Sequence, residues 1–310
     1  MSLAQLSGER VLTGRRAPVE PARTGPSPLM AVPALAFFAV FAIVPLLGVI
    51  LLSFMTWDGL GTPTWAGFSN WTRVLSDPVT HHAMKLTAIL TVATWAVQCP
   101  VSLLLGVFMA GRERYRAVFA VLYFLPLLFS AAAVGIAYKA LLDPNFGLGR
   151  ALGIGWLDRD WLGNPSLSLP TLVFVIAWCF IPFHSLLYQG AARQIPTSMY
   201  EAASLDGASR TQTFVHLTLP QLRNTIVTSS TLMVVGSLTY FDLIFVMTNG
   251  GPGNATRILP LDMYLRGFRS YDMGGASVVG VLLVAVGLSV SYLLNRASGN
   301  SNMASQLEGM

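Results

Sequence analysis

The sequence predicts an all-α polytopic membrane protein with six transmembrane helices and a polar helix-turn-helix connector, and three observations lead there. Of 310 residues, 54% are hydrophobic and 11% charged, which leaves too little polar surface for a soluble domain of this size. The apolar residues gather into six runs of about 20 residues, the length that carries a helix across the hydrocarbon core. These runs are continuous, whereas a spanning β-barrel would show short alternating segments.

A tail, 1–28, precedes the first run, 29–54. That run is too long for a signal-peptide core and lacks an Ala-x-Ala cleavage pattern, so it reads as a retained anchor. Runs 86–110 and 117–142 follow, joined by the tight turn Gly111-Arg112-Glu113-Arg114-Tyr115-Arg116, and then come 167–189, 225–247 and 274–294. Residues 86–294 make the expected core, with the connector at 195–220 and a polar tail at 295–310. Six crossings place both termini on one side. That side would hold eleven basic residues, Arg10, Arg15, Arg16, Arg23, Arg112, Arg114, Arg116, Arg193, Arg210, Arg223 and Arg296, against eight on the other. The three arginines of the tight turn carry most weight under the positive-inside rule, and both ends are therefore expected in the cytoplasm, with the chain in the cell membrane.

The remaining signals exclude more than they assign. Cys99 and Cys179 lie inside apolar runs, where cysteine acts as a small hydrophobe. His81 and His82 are expected in an external loop, without acidic or thiol partners at metal spacing. The glycines between 147 and 155 do not fit a phosphate cradle. The only lysines are Lys85 and Lys139, and neither follows a glycine. The chain thus has no Gly-Lys-Ser/Thr loop for ATP and is expected to hold no cofactor of its own. Its basic residues are scattered over short loops, which argues against nucleic acid. Asp242 is the principal carboxylate in an apolar run and His184 a second ionisable group, thin support for a proton relay.

Within the connector, Ser198 precedes Glu201 and Ser209 precedes Gln212, both at capping-box spacing. Gly207 between them suits the positive-φ stop of a first helix, and Asp206 tolerates the turn. A short amphipathic helix over 210–217 would set Phe214 and Leu217 on one side, with Pro220 opening the next membrane segment. A helix that short is marginal alone and is expected to dock.

Glu201-Ala202-Ala203, Asp206-Gly207-Ala208 and Leu219-Pro220 resemble the EAA loop of binding-protein-dependent ABC importer permeases. The stretch Phe241-Asp242-Leu243-Ile244, continued by 247–256 as Met-Thr-Asn-Gly-Gly-Pro-Gly-Asn-Ala-Thr, resembles the F-type subunits of carbohydrate importers in the maltose and glycerol-3-phosphate group. The resemblance covers about 29–294. It implies a permease that is not itself an enzyme. Its implied partners are a second related permease subunit in a heterodimer, a cytoplasmic ATPase dimer that binds ATP and Mg, and an external solute-binding protein that delivers a sugar or oligosaccharide.

The resemblance assigns coupling to the ATPase to Glu201, Ala202, Ala203, Asp206, Gly207, Ser209, Arg210, Phe214, Leu219 and Pro220, with 209–217 inserted in an ATPase cleft. For the substrate path, Phe180, Phe183 and His184 interrupt an aliphatic run with aromatics and a polar group, the chemistry that stacks sugar C–H faces and bonds hydroxyls. Met233, Ser237, Tyr240 and Ile244 recur at helical spacing with Gly236 adjacent, and this face resembles the substrate-contacting face of the family. Relatives carry amides where this chain carries Ser237 and Tyr240, so the sugar stays open. Asp242 has two readings, an acceptor for sugar hydroxyls or gate residue, and a structural pair with a neighbouring helix or the partner permease. Residues 248–256 are a candidate contact for the binding protein. Two alternatives stand beside the sugar permease: a permease for an amino acid, peptide or phosphate ester, and a membrane-embedded enzyme.

Overall fold

The computed structural model describes residues 28–111 and 114–297; most of the two tails and the Arg112-Glu113 pair of the basic turn lie outside the described residues. Contacts divide the chain into units 1–46 and 47–310. In the first, the described residues are helical and belong to α1 (Leu29–Leu52), an apolar helix with no buried residue in that unit.

The second unit opens with the end of α1 and a small antiparallel pair, β1 (Met55–Thr56) and β2 (Thr64–Trp65). Every other element is helical: α2 (Ser69–Ser76), α3 (Pro78–Met109), α4 (Arg114–Tyr123), α5 (Ala131–Leu141), α6 (Leu148–Leu152) and α7 (Pro165–Arg193). The connector forms α8 (Thr197–Leu205) and a composite helical stretch, α9, over 210–221. Then come α10 (Arg223–Ser237), α11 (Asp242–Met247), α12 (Leu259–Tyr264), extended by a wider turn to Arg269, and α13 (Met273–Ala297).

Among the described residues four helices, α1, α3, α7 and α13, are long and apolar enough to span a membrane. The other two expected runs are interrupted. In 117–142, Pro126 lacks the N–H that would continue α4, a 3-10 turn (Leu125–Leu128) intervenes, and the Ser130 hydroxyl caps α5 by accepting from Ala133 N–H at 3.2 Å. In 225–247, Ser237 Oγ donates to Val234 O at 2.6 Å and Thr239 Oγ1 to Gly236 O at 2.8 Å. Side chains that take the last carbonyls compete with helix propagation, and α11 restarts at Asp242. The helical face expected from Met233 to Ile244 is therefore broken at its middle. A third difference concerns α3, which begins ahead of residue 86: Asp77 accepts from Val79 N–H at 2.9 Å and Pro78 fits the first turn, so His81 and His82 stand exposed on a helix rather than in a loop.

The buried face of α3 mixes polar with apolar residues. Thr80, Thr87, Thr94, Gln98 and Ser102 are buried, while Val92, Val97, Val101 and Leu104 are exposed. Polar groups buried in lipid need partners, and these take them partly from their own helix, as Thr94 does from Leu90 O, and partly from neighbouring ones, while Gln98 has none among the described residues. Thr91 Oγ1 lies 2.6 Å from Ser237 Oγ, and Trp95 Nε1 donates to Ser230 Oγ at 3.0 Å, both toward α10. Toward α7, Ser102 Oγ donates to Ile181 O at 3.3 Å, and Gln189 Nε2 returns a bond to Met109 O at 2.9 Å. Gly106 is the closest point of this pair: a Cβ there would lie 2.6 Å from Tyr188 Cβ and 2.7 Å from Ser185 O. Leu90, Leu172, Val175, Ile176, Ile244, Ile258 and Leu261 fill the core around the α3–α7 pair.

At the end of α3 away from the connector an ionic cluster fastens α12 to α3. The fully buried Asp262 accepts from Arg257 at 2.7 Å and from Arg266 Nε at 2.7 Å; Arg266 also bonds Asp77 and, at 2.8 Å, Thr80 Oγ1. Leu259 N–H donates to Thr87 Oγ1 at 2.9 Å. Nearby, Arg73 grips Asp272 in a fork at 2.7 and 2.9 Å. Asn70, part of an Asn-Trp-Thr sequence, is buried and donates to Ser53 O and Met55 O.

Burial pushes the Asp77 and Asp272 carboxyls up, but hydrogen bonds from Arg266 and Arg73 respectively, with a backbone N–H each, outweigh it and leave both below the ordinary 3.8. A depressed carboxylate contributes stability that is complete above its unfolded pKa and is lost as pH falls through the folded one. The melting temperature of the purified protein should hold from pH 7 to about pH 4 and decline below, and Asp77→Asn should lower it at pH 7 and flatten that acid decline. Gly106→Ala should separate α3 from α7 and destabilise by about 1–3 kcal/mol. Gly190→Ala in α7, where nothing lies within 4 Å of the new Cβ, should be neutral or slightly stabilising, as fluorescence-detected thermal unfolding would show.

Candidate functional site

Two sets of expected functional residues fall in separate places. In the connector, α8 starts at Thr197 after Pro196 and has no side-chain cap. Ser198 therefore sits within the first turn, the capping box expected with Glu201 does not form, and Glu201 projects from the helix without a side-chain hydrogen bond among the described residues. The stop at Gly207 does form. Its φ is +72°, Gly207 N–H donates to Ser204 O at 3.1 Å and Ala208 N–H to Ala203 O at 2.9 Å, which together make a Schellman ending. The second start is a reciprocal capping box: Gln212 N–H donates to Ser209 Oγ at 3.3 Å and Ser209 N–H to Gln212 Oε1 at 2.8 Å.

α9 continues past residue 217. It winds wider over Phe214–Thr218 and runs on through Leu219–Gln221, so Pro220 lies inside it. Phe214 and Leu219 pack on a cluster of Leu103, Tyr188, Ala192 and Leu222, and Tyr200 OH lies 3.1 Å from Thr218 Oγ1, joining α8 to α9. The expected coupling residues thus divide by direction. Glu201, Ala202, Asp206, Gly207, Ser209, Arg210 and Pro220 are exposed, while Ala203, Phe214 and Leu219 are half-buried, the last two seating α9 on α3 and α7. Two exposed apolar side chains of the connector escaped sequence reasoning, Leu205 at 90% and Val215 at 44%. The only signal for Leu205 was an apolar residue beside the Asp-Gly turn.

The second set surrounds a cleft of about 490 Å³ between α7, α10 and the interrupted segments. Phe180, Phe183, His184, Gly236, Tyr240 and Asp242 line it. The Phe180 and Tyr240 rings lie 5.1 Å apart at 31°, and Phe183 meets the His184 ring edge-on at 5.1 Å. His184 Nδ1 is 3.0 Å from Ser229 Oγ, which fixes the imidazole against α10. Met233 and Ser237 do not reach the cleft: both are buried toward the helix core, and Ser237 is bound to Thr91. Asp242, the first residue of α11, is exposed and makes no ion pair or side-chain hydrogen bond among the described residues. Thr239, Phe241, Leu127 and Ala131 complete the lining from the two helix breaks, which sequence periodicity did not anticipate.

The cleft is aromatic with a few polar groups, and its described lining includes no lysine or arginine. Its size suits a small organic molecule, and its composition suits one with C–H faces and hydroxyls. In the 248–256 segment the buried Thr256 donates from Oγ1 to Gly251 O at 2.8 Å and lies 2.8 Å from Thr248 Oγ1, giving this loop a fixed shape.

Comparison with known proteins places this geometry. Residues 102–301 match the family described as binding-protein-dependent transport system inner membrane component. The chain is 30% identical to the diacetylchitobiose uptake system permease protein NgcF of Streptomyces coelicolor, over 86% of this chain and 80% of that protein. It is 28% identical to the arabinooligosaccharides transport system permease protein AraP of Bacillus subtilis, over 88% of each. A crystal structure of a bacterial ABC transporter that imports the acidic polysaccharide alginate shares the fold, with a TM-score of 0.77 and 23% identity over 88% of this chain and 94% of that one. The extent of these matches settles the family: the chain belongs to the inner membrane components of binding-protein-dependent transport systems.

Proposed function

We propose that this chain is one permease subunit of an ATP-driven importer and that it passes a neutral sugar or oligosaccharide along the cleft of Phe180, Phe183, Tyr240 and Asp242. The observation that carries the reading is the composition of that cleft: aromatic faces beside a phenol, a threonine hydroxyl and an unpaired carboxylate, with no cation. The relatives named for diacetylchitobiose and arabinooligosaccharides support a carbohydrate cargo. A phosphate ester or an acidic sugar would meet Asp242 without a compensating charge, which disfavours both.

In this reading the connector faces the cytoplasm with both termini, a second permease subunit completes the path, and an external binding protein delivers cargo to the opposite end. An ATPase dimer, which binds ATP and Mg, seats against Glu201, Leu205, Arg210 and Val215. Motion of that partner moves α9, and Phe214, Leu219 and Leu222 pass it to α3 and α7 through Leu103, Tyr188 and Ala192. α7 carries Phe180 and Phe183, so displacement of the connector reaches the cleft along a stiff helix.

The test is uptake by proteoliposomes that contain the whole complex, with its binding protein outside and ATP within. Labelled diacetylchitobiose, arabinobiose and maltose serve as neutral probes and an alginate oligosaccharide as the acidic one. ATP-dependent uptake of a neutral probe is expected, and uptake confined to the acidic probe or to a non-sugar solute overturns the reading. Asp242→Asn should raise the apparent KM roughly tenfold with assembly unchanged, the size expected for loss of a charged hydrogen bond.

Gly207 supplies a separate test of coupling. A β-branched residue at its φ of +72° costs about 1–2 kcal/mol, although no atom crowds the Cβ. Gly207→Val should insert and assemble but lose uptake together with cargo-stimulated ATP hydrolysis. Gly207→Asn, which tolerates left-handed backbone, should keep most of both.

A further inference from the structure

Gln98 of α3 is fully buried, and neither end of its amide has a hydrogen-bond partner among the described residues. The Tyr240 phenol, part of the cleft lining, stands beside that amide but short of hydrogen-bond geometry. From this placement we propose that Gln98 is a specificity-determining residue of the solute path, its amide bonding hydroxyls of a neutral sugar that reach it past Tyr240. The inference rests on the sugar reading of the cleft and adds to it a residue from behind the lining.

An unpaired amide in the interior is costly, because its carbonyl and its NH2 have both given up water. A leucine of similar volume would pack there without that cost, so packing alone does not account for the amide. The hydroxyls along the same helix are committed elsewhere. Thr91 Oγ1 is 2.6 Å from Ser237 Oγ, Thr94 Oγ1 donates to Leu90 O at 2.7 Å, and Ser102 Oγ donates to Ile181 O at 3.3 Å. Gln98 therefore keeps two donors and one acceptor for a group that enters from the cleft.

The cleft has use for them. A sugar ring presents several hydroxyls, each both donor and acceptor, whereas the polar side chains of the described lining are few and partly engaged. Thr239 Oγ1 donates to Gly236 O at 2.8 Å, and His184 Nδ1 lies 3.0 Å from Ser229 Oγ. Tyr240 controls access to the amide. It belongs to the break between α10 and α11, and its ring rests 5.1 Å from that of Phe180. Beyond its own helix, a Cβ at Gly236 would meet within 4 Å only the Tyr240 hydroxyl, at 3.8 Å. Space thus adjoins the phenol on the Gly236 side, and side-chain rotation into it opens the cleft toward Gln98. The amide is neutral and directional, so it selects among hydroxyl arrangements without attracting charge.

The experiment measures ATP-dependent uptake by proteoliposomes that hold the whole complex with its binding protein. The probes are whichever of maltose, arabinobiose and diacetylchitobiose the wild type carries, with the monodeoxy analogues of that sugar. The ratio of Gln98→Leu to wild type is taken for each probe, which cancels recognition by the binding protein. Expected are an assembled variant that melts no lower than wild type and a kcat/KM for the parent sugar reduced about three- to tenfold. For at least one monodeoxy analogue the variant should equal wild type, because the bond is already missing there. A loss of the same size on the parent and on every analogue marks a structural role and overturns the proposal. Unchanged uptake of the parent overturns it too, the outcome if an ordered water satisfies the amide. Should Gln98→Leu fail to assemble, Gln98→Met replaces it, and failure of both overturns the proposal, since an amide that serves cargo is not needed for assembly. If the wild type takes up none of the neutral probes, the sugar reading fails and this inference with it, a result seen without any variant and so distinct from the others.

Discussion

The close approach of α3 to α7 is the constraint on which the rest of the structure depends. Gly106 lets the two backbones meet, and Thr91, Trp95 and Ser102 of α3 bond to α10 and α7 while Gln189 of α7 bonds back to Met109 O. Interhelical hydrogen bonds in membranes contribute about 0.6 kcal/mol each, so these few do not by themselves hold the helices together. Their greater effect is on register, because a shift of α3 by one residue would leave several polar groups without partners where no water replaces them, at a cost of several kcal/mol per group. Tight packing at Gly106 and polar matching along α3 therefore select one arrangement, and the core of Leu90, Leu172, Ile176 and Ile244 fills around it.

The long helices were legible in the sequence because length and hydropathy are what a bilayer demands of a spanning helix. The breaks were not. Pro126 was visible, yet Pro100, Pro170 and Pro182 are accommodated inside continuous helices, so a proline alone does not announce an interruption. At the 238–241 break Ser237 and Thr239 bond nearby carbonyls through their hydroxyls, yet Thr87, Thr94 and Thr171 do the same inside continuous helices, so hydroxyl side chains alone do not announce an interruption either. The extended start of α3 was hidden for the opposite reason: the turn that holds His81 and His82 is polar, and only the Asp77-Pro78 start, a signal easily outweighed by hydropathy, marks it as helical.

The functional sites divide along the same line. Gly207 and the Ser209–Gln212 box could be read directly, since backbone conformation and capping are local and involve neighbours in the chain. The box expected at Ser198 failed because α8 is capped at Pro196 and so starts two residues earlier than the hydroxyl spacing implied. In the cleft, the α7 contributors were legible as aromatics in an aliphatic run, but the expectation for α10 assumed one unbroken helix. With the break in place, Met233 and Ser237 turn into the core while Tyr240, Phe241 and Asp242 swing to the cleft, an outcome that no periodicity with a single phase could produce.

The two interruptions have a mechanical consequence. Both open on the cleft, with Leu127 and Ala131 from one and Thr239 to Asp242 from the other, whereas α3 runs continuously from the ionic cluster around Asp262 to the seat of α9, with the unbroken α7 packed along it. A helix break costs backbone hydrogen bonds in lipid and persists only where side chains or a cavity take them up, as Ser237 and Thr239 do here. The interruptions of helical hydrogen bonding thereby lie beside the cleft. Rigidity is concentrated in the pair that joins the connector to the far end, where Arg266 binds both Asp77 of the α3 start and Asp262 of α12. Force applied at the connector therefore has a stiff route through α3 and α7, and the elements free to yield around it are those that line the cleft.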